Sequence, residues 1–343
     1  SAYAAQLDLH CVLLTGSTKA KARKEIHKDL IEGKTNIIIG THALLEDPVQ
    51  FKNLGFVVID EQHRFGVAQR ATMHKKNVQP PHVLVMSATP IPRTLAMTLY
   101  GDLDTSVIDE LPPGRKPIQT VHYTDAKRLR LYGFMKEQIK LGRQIYVVYP
   151  LIEESEKLDL KNLMEGYDSL SVEFPLPQYR MSILHGRMPS EKKDFEMQAF
   201  KKGQTHILVS TTVIEVGVDV PNASVMVIEN AERFGLSQLH QLRGRVGRGA
   251  EQSYCILMTG YKLGHEGRIR METMCRTNDG FEVAEVDLQL RGPGDIEGTQ
   301  QSGVLNLRIA DLAKDQQILQ LARQVATEIL DKDPLLEKAE NQI

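Results

Sequence analysis

The feature that most restricts the fold is an alternation that occurs twice. From Leu9 to about Thr105, short β-branched or aliphatic runs (Cys11 to Leu14, Asn36 to Gly40, Phe56 to Ile59, Val83 to Met86) alternate with amphipathic segments, and Lys19 to Glu32 has helical spacing. Such alternation predicts a parallel sheet with helices on its faces. The stretch Leu111-Pro112-Pro113-Gly114-Arg115-Lys116-Pro117 breaks the pattern as a linker would. The alternation then restarts, with strand candidates at Ile118 to Tyr123, Gln144 to Tyr149, Met181 to Leu184, His206 to Ser210, Ser224 to Ile228 and Ser253 to Met258. After Thr259 the texture changes. A helical pair, Glu266 to Arg276 and Phe281 to Leu290, is predicted around Asn278-Asp279-Gly280, followed by a Gly-rich loop and a helix from about Ile309 to Leu330.

The chain therefore reads as α/β: two parallel-sheet units, residues 1–111 and 118–260, joined by a linker at 112–117 and followed by a helical hairpin and loop over 261–343. Ligands of open parallel sheets bind at the C-terminal strand edges, so two such units imply a cleft between those edges.

Composition narrows the class without naming an activity. With 343 residues, 41% hydrophobic and 25% charged, the chain is an ordinary globular protein too long for one typical domain. A formal net charge of -2 neither requires nor excludes a polyanionic partner, because a local basic groove can sit within a neutral total. No apolar run approaches the ~20 residues of a membrane span, so no membrane contact is expected. Cys11, Cys255 and Cys275 form no CxxC pair, which argues against a zinc site or a disulfide framework and makes a reducing cytoplasm the default. The chain opens Ser1-Ala2-Tyr3 and reads there like the middle of a helix, as a truncated chain would.

The chemistry concentrates in four places. Phe56-Val57-Val58-Ile59 delivers Asp60-Glu61-Gln62-His63, two acids at the C-terminal end of a buried strand, where carboxylates can face a metal-bound phosphate. There Asp60 is placed to hold Mg²⁺ and Glu61 to polarise water attacking a γ-phosphate; an acidic strand-ending turn is the plainer alternative. Ser87-Ala88-Thr89-Pro90 follows the next strand, with its hydroxyls at the same edge, although an isolated tetrapeptide of this kind is equally an ordinary turn. Gln241-Leu242-Arg243-Gly244-Arg245-Val246-Gly247-Arg248 is more specific: Arg245 and Arg248, three apart, are expected to share a helical face and to neutralise charge on a transferring phosphoryl group. Between these lies Thr211 to Pro221. Thr211 and Thr212 end a strand and can donate to a strand phosphate or cap a helix, and Asp219 can tie nucleotide to Arg245 or Arg248.

The order of these four segments resembles motifs II, III, V and VI of superfamily 2 helicases. The resemblance narrows at Asp60 to Gly66, Ala88 to Thr94, Asp109 to Arg115, Arg233 to Arg248 and Leu290 to Asp295, which look like the RecG family of bacterial fork-remodelling DNA translocases. It covers nearly the whole chain and implies two RecA-like domains, the first incomplete, with ATP and Mg²⁺ as cofactors and branched double-stranded DNA as partner. A single-strand-binding protein is a further partner implied for the intact enzyme. By the same resemblance Gln62, His63, Gly217, Asp219 and Gln241 contact nucleotide. Thr15-Gly16 and Thr41-His42 touch the DNA backbone, His185 and Arg187 belong to the second-domain motif with a DNA-binding or coupling role, and Ser87 and Thr89 couple the phosphate site to the second domain. Arg291 and Gln301 belong to a lever that converts domain closure into duplex movement. An Mfd-like translocase acting on stalled polymerase, or a non-catalytic DNA-binding module, are the alternatives.

One departure is severe. No GxxxxGK(S/T) phosphate-binding sequence occurs, and the resemblance places it upstream of Ser1. The chain alone is therefore expected to lack ATPase activity, and its first sheet to expose a strand edge and apolar surface.

Overall fold

The computed structural model describes residues 2–61, 76, 79–87, 104, 106–108, 110–151, 156–211, 220–249, 251–291, 315–338 and 341. It divides into two compact units, the first holding the described residues up to 87 and the second those from 104 onward.

In the first unit, a short helix α1 (Ala2–Gln6) precedes β1 (Cys11–Leu14), α2 (Ala20–Glu32), β2 (Ile37–Gly40), β3 (Phe56–Ile59) and β4 (His82–Val85). Helix α2 stops at Gly33, whose φ of 76° lets its N–H and that of Lys34 reach back to the Leu30 and Asp29 carbonyls. The strands pair in parallel two by two, β1 with β2 and β3 with β4, rather than as one sheet. Leu44, in a 3₁₀ turn at His42–Leu45, packs against both small cores, that of Leu14, Leu30, Ala43 and Val49 and that of Val57 and Ile59. The expected apolar surface is present: Leu13, Ile39, Phe56 and Val58 are each more than half exposed.

The second unit is built on a six-stranded parallel sheet of order β5-β10-β9-β6-β8-β7. Its strands are β5 (Gln119–Thr124), β6 (Gln144–Tyr149), β7 (Met181–Leu184), β8 (Ile207–Thr211), β9 (Ala223–Ile228) and β10 (Tyr254–Thr259). Every residue of β6, β8 and β9 is buried, because helices cover both faces. The twofold period of a strand divides these residues between two cores. Ile145, Val147, Tyr149, Val209 and Val227 meet α3 (Arg128–Lys140) and α4 (Glu156–Glu173). Tyr146, Val148, Leu208, Met226 and Ile228 meet α5 (Ser190–Lys201), α6 (Leu236–Arg243), α7 (His265–Arg276) and α8 (Gly280–Arg291). Burying each such aliphatic side chain contributes about 1.5–3 kcal/mol relative to leaving it in water.

The predicted helical pair is therefore present as α7 and α8, but Met271, Met274 and Val283 enter the same core as the sheet. Farther on, α9 (Gln316–Lys332) corresponds to the later part of the helix expected from Ile309.

Candidate nucleotide and DNA site

In the first unit, the residues of interest stand at the C-terminal ends of paired strands. Leu14 pairs with Gly40, so Thr15-Gly16 and Thr41-His42 leave neighbouring strands side by side. A Cβ at Gly40 would lie 2.3 Å from the Leu14 carbonyl oxygen, which explains the glycine. The Thr15 loop is held by its own hydroxyls: Thr15 N–H donates to Thr18 Oγ1 at 2.9 Å, and Thr15 Oγ1 lies 3.0 Å from Ser17 Oγ. Likewise Ile59 pairs with Val85, which puts Asp60 and Ser87, both exposed, just past adjacent strand ends. Glu61 is half-buried, with a φ of 52° and its N–H donated to Asp60 Oδ1 at 2.9 Å. A left-handed conformation at a non-glycine residue costs about 1–2 kcal/mol, the kind of local strain found where a side chain must be aimed.

The carboxylates fit Mg²⁺ by chemistry and by number. Hard oxygen donors suit the ion, and Asp60 with Glu61 offers two carboxylates at one strand end. Mg²⁺ in phosphoryl-transfer sites is held by one or two carboxylates, substrate phosphates and water.

In the second unit, α6 ends at Arg243, so Arg245 and Arg248 do not share a helical face as their spacing suggested. Gly244 caps the helix, and in the turn beyond it Gly247 takes a φ of 81° with Ile118 Cγ1 3.0 Å from where a Cβ would stand. Val246 is buried and anchors the turn, leaving the two arginines half-buried on either side of it. At Gly249 a Cβ would stand 2.7 Å from the Pro221 carbonyl oxygen, so this turn abuts the end of the Thr211 to Pro221 segment.

Sequence reasoning passed over Arg243, which is only 2% exposed. It donates from Nη1 to the Met274 and Thr277 carbonyls at 3.0 and 2.7 Å, and from Nη2 to His240 Nδ1 at 2.9 Å. Two further bonds clamp α6 and the turn just before it to the helical pair. Arg270 of α7 donates to the Phe234 carbonyl at 2.8 Å, and Ser237 Oγ donates to Asp287 Oδ2 of α8 at 3.0 Å. The segment bearing Arg245 and Arg248 is thus mechanically tied to α7 and α8. Nothing local in the sequence signals this, since the partners lie 31 and 34 residues away. On the opposite side of the sheet end, Glu229, 5% exposed, accepts both arms of Arg128 at 2.8 and 3.0 Å.

His185 follows β7 half-buried, and burial with the nearby Lys193, Lys192 and Arg187 lowers its pKa. Arg187 is exposed and Gln241 half-buried on α6. Thr211, the last residue of β8, is buried, and its hydroxyl has no partner among the described residues. Gln62, His63, Thr89, Thr212, Gly217, Asp219 and Gln301 lie outside the described residues, and Arg291 closes α8 with its side chain outside the described set.

Three family models match in succession: DEAD/DEAH box helicase over residues 1–98, helicase conserved C-terminal domain over 126–250, and ATP-dependent DNA helicase RecG, domain 3, C-terminal, over 277–343. The ATP-dependent DNA helicase RecG of Synechocystis sp. is 55% identical over 325 residues, 95% of this chain and 39% of that protein. The chain belongs to the RecG family. The Bacillus subtilis RecG is 50% identical, over 97% of this chain and 48% of its own length. A solved structure of RecG bound to a three-way DNA junction superposes with a TM-score of 0.68 at 45% identity, covering 93% of this chain and 40% of that one. The chain thus spans less than half the length of these relatives. The match over domain 3 favours RecG over the Mfd-like and non-catalytic alternatives, and no described helix is long and apolar enough to cross a membrane.

Proposed function

We propose that this chain is the helicase-motor portion of an ATP-dependent translocase that remodels branched double-stranded DNA, such as stalled forks and Holliday junctions, in recombination and repair. The observation that carries the reading is the clamp between α6 and the α7–α8 pair, which joins the segment holding Arg245 and Arg248 to Thr277 and to Asp287 of α8, both within the match to the RecG-type third domain.

In this reading Glu61 accepts the proton of the attacking water, and Arg245 and Arg248 neutralise charge on the γ-phosphoryl group. Asp60 with Glu61 holds Mg²⁺, which when bound offsets negative charge on phosphate oxygens. Gln62, His63, Gly217, Asp219 and Gln241 contact ATP. Ser87, Thr89, Thr211 and Thr212, with Thr15, Gly16, Thr41, His42, His185 and Arg187, contact DNA phosphates or couple the two sites, and Arg291 and Gln301 move with the duplex. The domains run 1–111, 118–260 and 261–343. Cytoplasmic placement and contact of the intact enzyme with a single-strand-binding protein belong to the same proposal.

DNA-stimulated ATP hydrolysis tests it. This chain, which contains no GxxxxGK(S/T) sequence, is expected to be inert, and a longer protein that includes that loop upstream to be active. Glu61→Gln in the longer protein is expected to abolish the activity. Hydrolysis by this chain alone, or an active Glu61→Gln variant, would contradict the site.

A further inference from the structure

The loops after β1 and β2 are bound together by one side chain that no motif includes. Arg23, on the second turn of α2, donates from Nη2 to the Thr15 carbonyl at 2.9 Å and from Nη1 to Glu46 Oε2 at 2.8 Å. Glu46 closes the 3₁₀ turn that begins at His42, and its carbonyl accepts Lys76 Nζ at 2.7 Å. The Arg23 side chain is 22% exposed, against 49% for Glu46, so the guanidinium lies beneath the loops and not among the exposed groups at their tips.

We propose that Arg23 is a positioning residue for DNA binding: it fixes the spacing between Thr15-Gly16 and Thr41-His42, so that two backbone-contacting loops meet successive phosphates as one rigid surface. Phosphate contacts set register by geometry, and a planar fork that holds a carbonyl and a carboxylate simultaneously fixes a distance that a lysine could not. The inference rests on the proposed DNA-binding function of those loops.

The two explanations of Arg23 predict opposite signs at Glu46. If Arg23 acted as a free cation toward DNA, removing Glu46 would release it and delete a repelling charge, and affinity would rise. If Arg23 positions the loops, removing Glu46 loosens one of them and affinity falls although the surface becomes more positive.

The test is fluorescence anisotropy of this chain on a labelled three-way junction across a salt series, with thermal unfolding as control. Arg23→Ala and Glu46→Ala are each expected to weaken binding by about three-fold, the size of effect an exposed ion pair can transmit. The slope of log K against log salt should stay unchanged in both variants, because a positioning arginine neutralises no phosphate, whereas loss of a direct Arg23 contact would make the slope shallower by about one; the unfolding midpoint of Glu46→Ala should be unchanged. If Arg23→Ala fails to fold, Glu46→Ala decides alone. Unchanged or tighter binding by Glu46→Ala, with the wild type binding normally, would overturn the proposal and leave the function intact. No binding by the wild type would overturn both.

Discussion

Arg243 donates to the carbonyl of Thr277 at 2.7 Å, joining the last residue of α6 to the residue that caps α7. A cation at a helix C-terminus is favoured by the backbone dipole, and Arg243 remains charged although burial lowers its pKa. Removing it leaves the Met274 and Thr277 carbonyls without their charged donor in a buried setting. Arg243→Met is expected to destabilise the second unit by about 2–4 kcal/mol in urea unfolding, and Arg243→Lys, whose single ammonium can serve the two carbonyls but lacks the second arm that reaches His240, by about half that. A cost below ~0.5 kcal/mol for Arg243→Met would contradict the clamp.

His240 reports on the same clamp through pH. Arg243 donates to its Nδ1, so the ring is neutral with its proton on Nε2, and burial followed by the Arg243 charge pushes its pKa down to about 4. The unfolded chain binds this proton near the usual 6.5 and the folded chain does not, so stability rises with pH between 4 and 6.5 and is flat above. Acidification from 6.5 to 4 should cost on the order of 3 kcal/mol, at about 1.4 kcal/mol per pH unit. Unfolding midpoints measured across that window should fall for the wild type and fall less for His240→Gln, which accepts the Arg243 bond without titrating. Parallel profiles would contradict the assignment.

At the end of β9, Glu229 holds both arms of Arg128. Glu229→Gln keeps the shape and removes the charge, leaving Arg128 half-buried with Asp125 at 2.7 Å as its remaining carboxylate. A loss of about 1–3 kcal/mol is expected in denaturant titration, and no loss would show the pair to be energetically silent.

Gly40 sets the spacing of β1 and β2. Gly40→Ala drives a Cβ into the Leu14 carbonyl and the Leu44 side chain, and should cost about 1–3 kcal/mol. Hydrogen exchange at Cys11 to Leu14 should accelerate while that of the six-stranded sheet stays unchanged. Equal protection in the variant would contradict the packing.

Much of the fold could be read directly from residue patterns, because a strand buried on both faces must be apolar throughout. Gln144-Ile145-Tyr146-Val147-Val148-Tyr149 became β6 with its boundaries intact, as did the runs that became β1, β3 and β7, and the ends of the other strands moved by one residue at most. The place of Asp60 and Glu61 at a strand end was legible too, since Phe56-Val57-Val58-Ile59 ends at Asp60. What could not be read depends on contacts between distant residues. Spacing alone put Arg245 and Arg248 on one helix, but α6 ends first, at Arg243 with its cap at Gly244. Arg243 sat among look-alike arginines, and only the arrival of α7 assigns it a buried role. The pairing of first-unit strands into two small sheets likewise follows from which edges meet, information that no local run of residues holds.

The most direct test of the central claim is strand displacement from a three-way DNA junction by the longer protein that includes a phosphate-binding loop, comparing wild type with Glu61→Gln and Arg245→Ala. ATP-dependent displacement by the wild type, with each variant slower by at least about a hundred-fold yet still binding the junction, is the predicted result. Displacement that persists in either variant, or that needs no ATP, would contradict it.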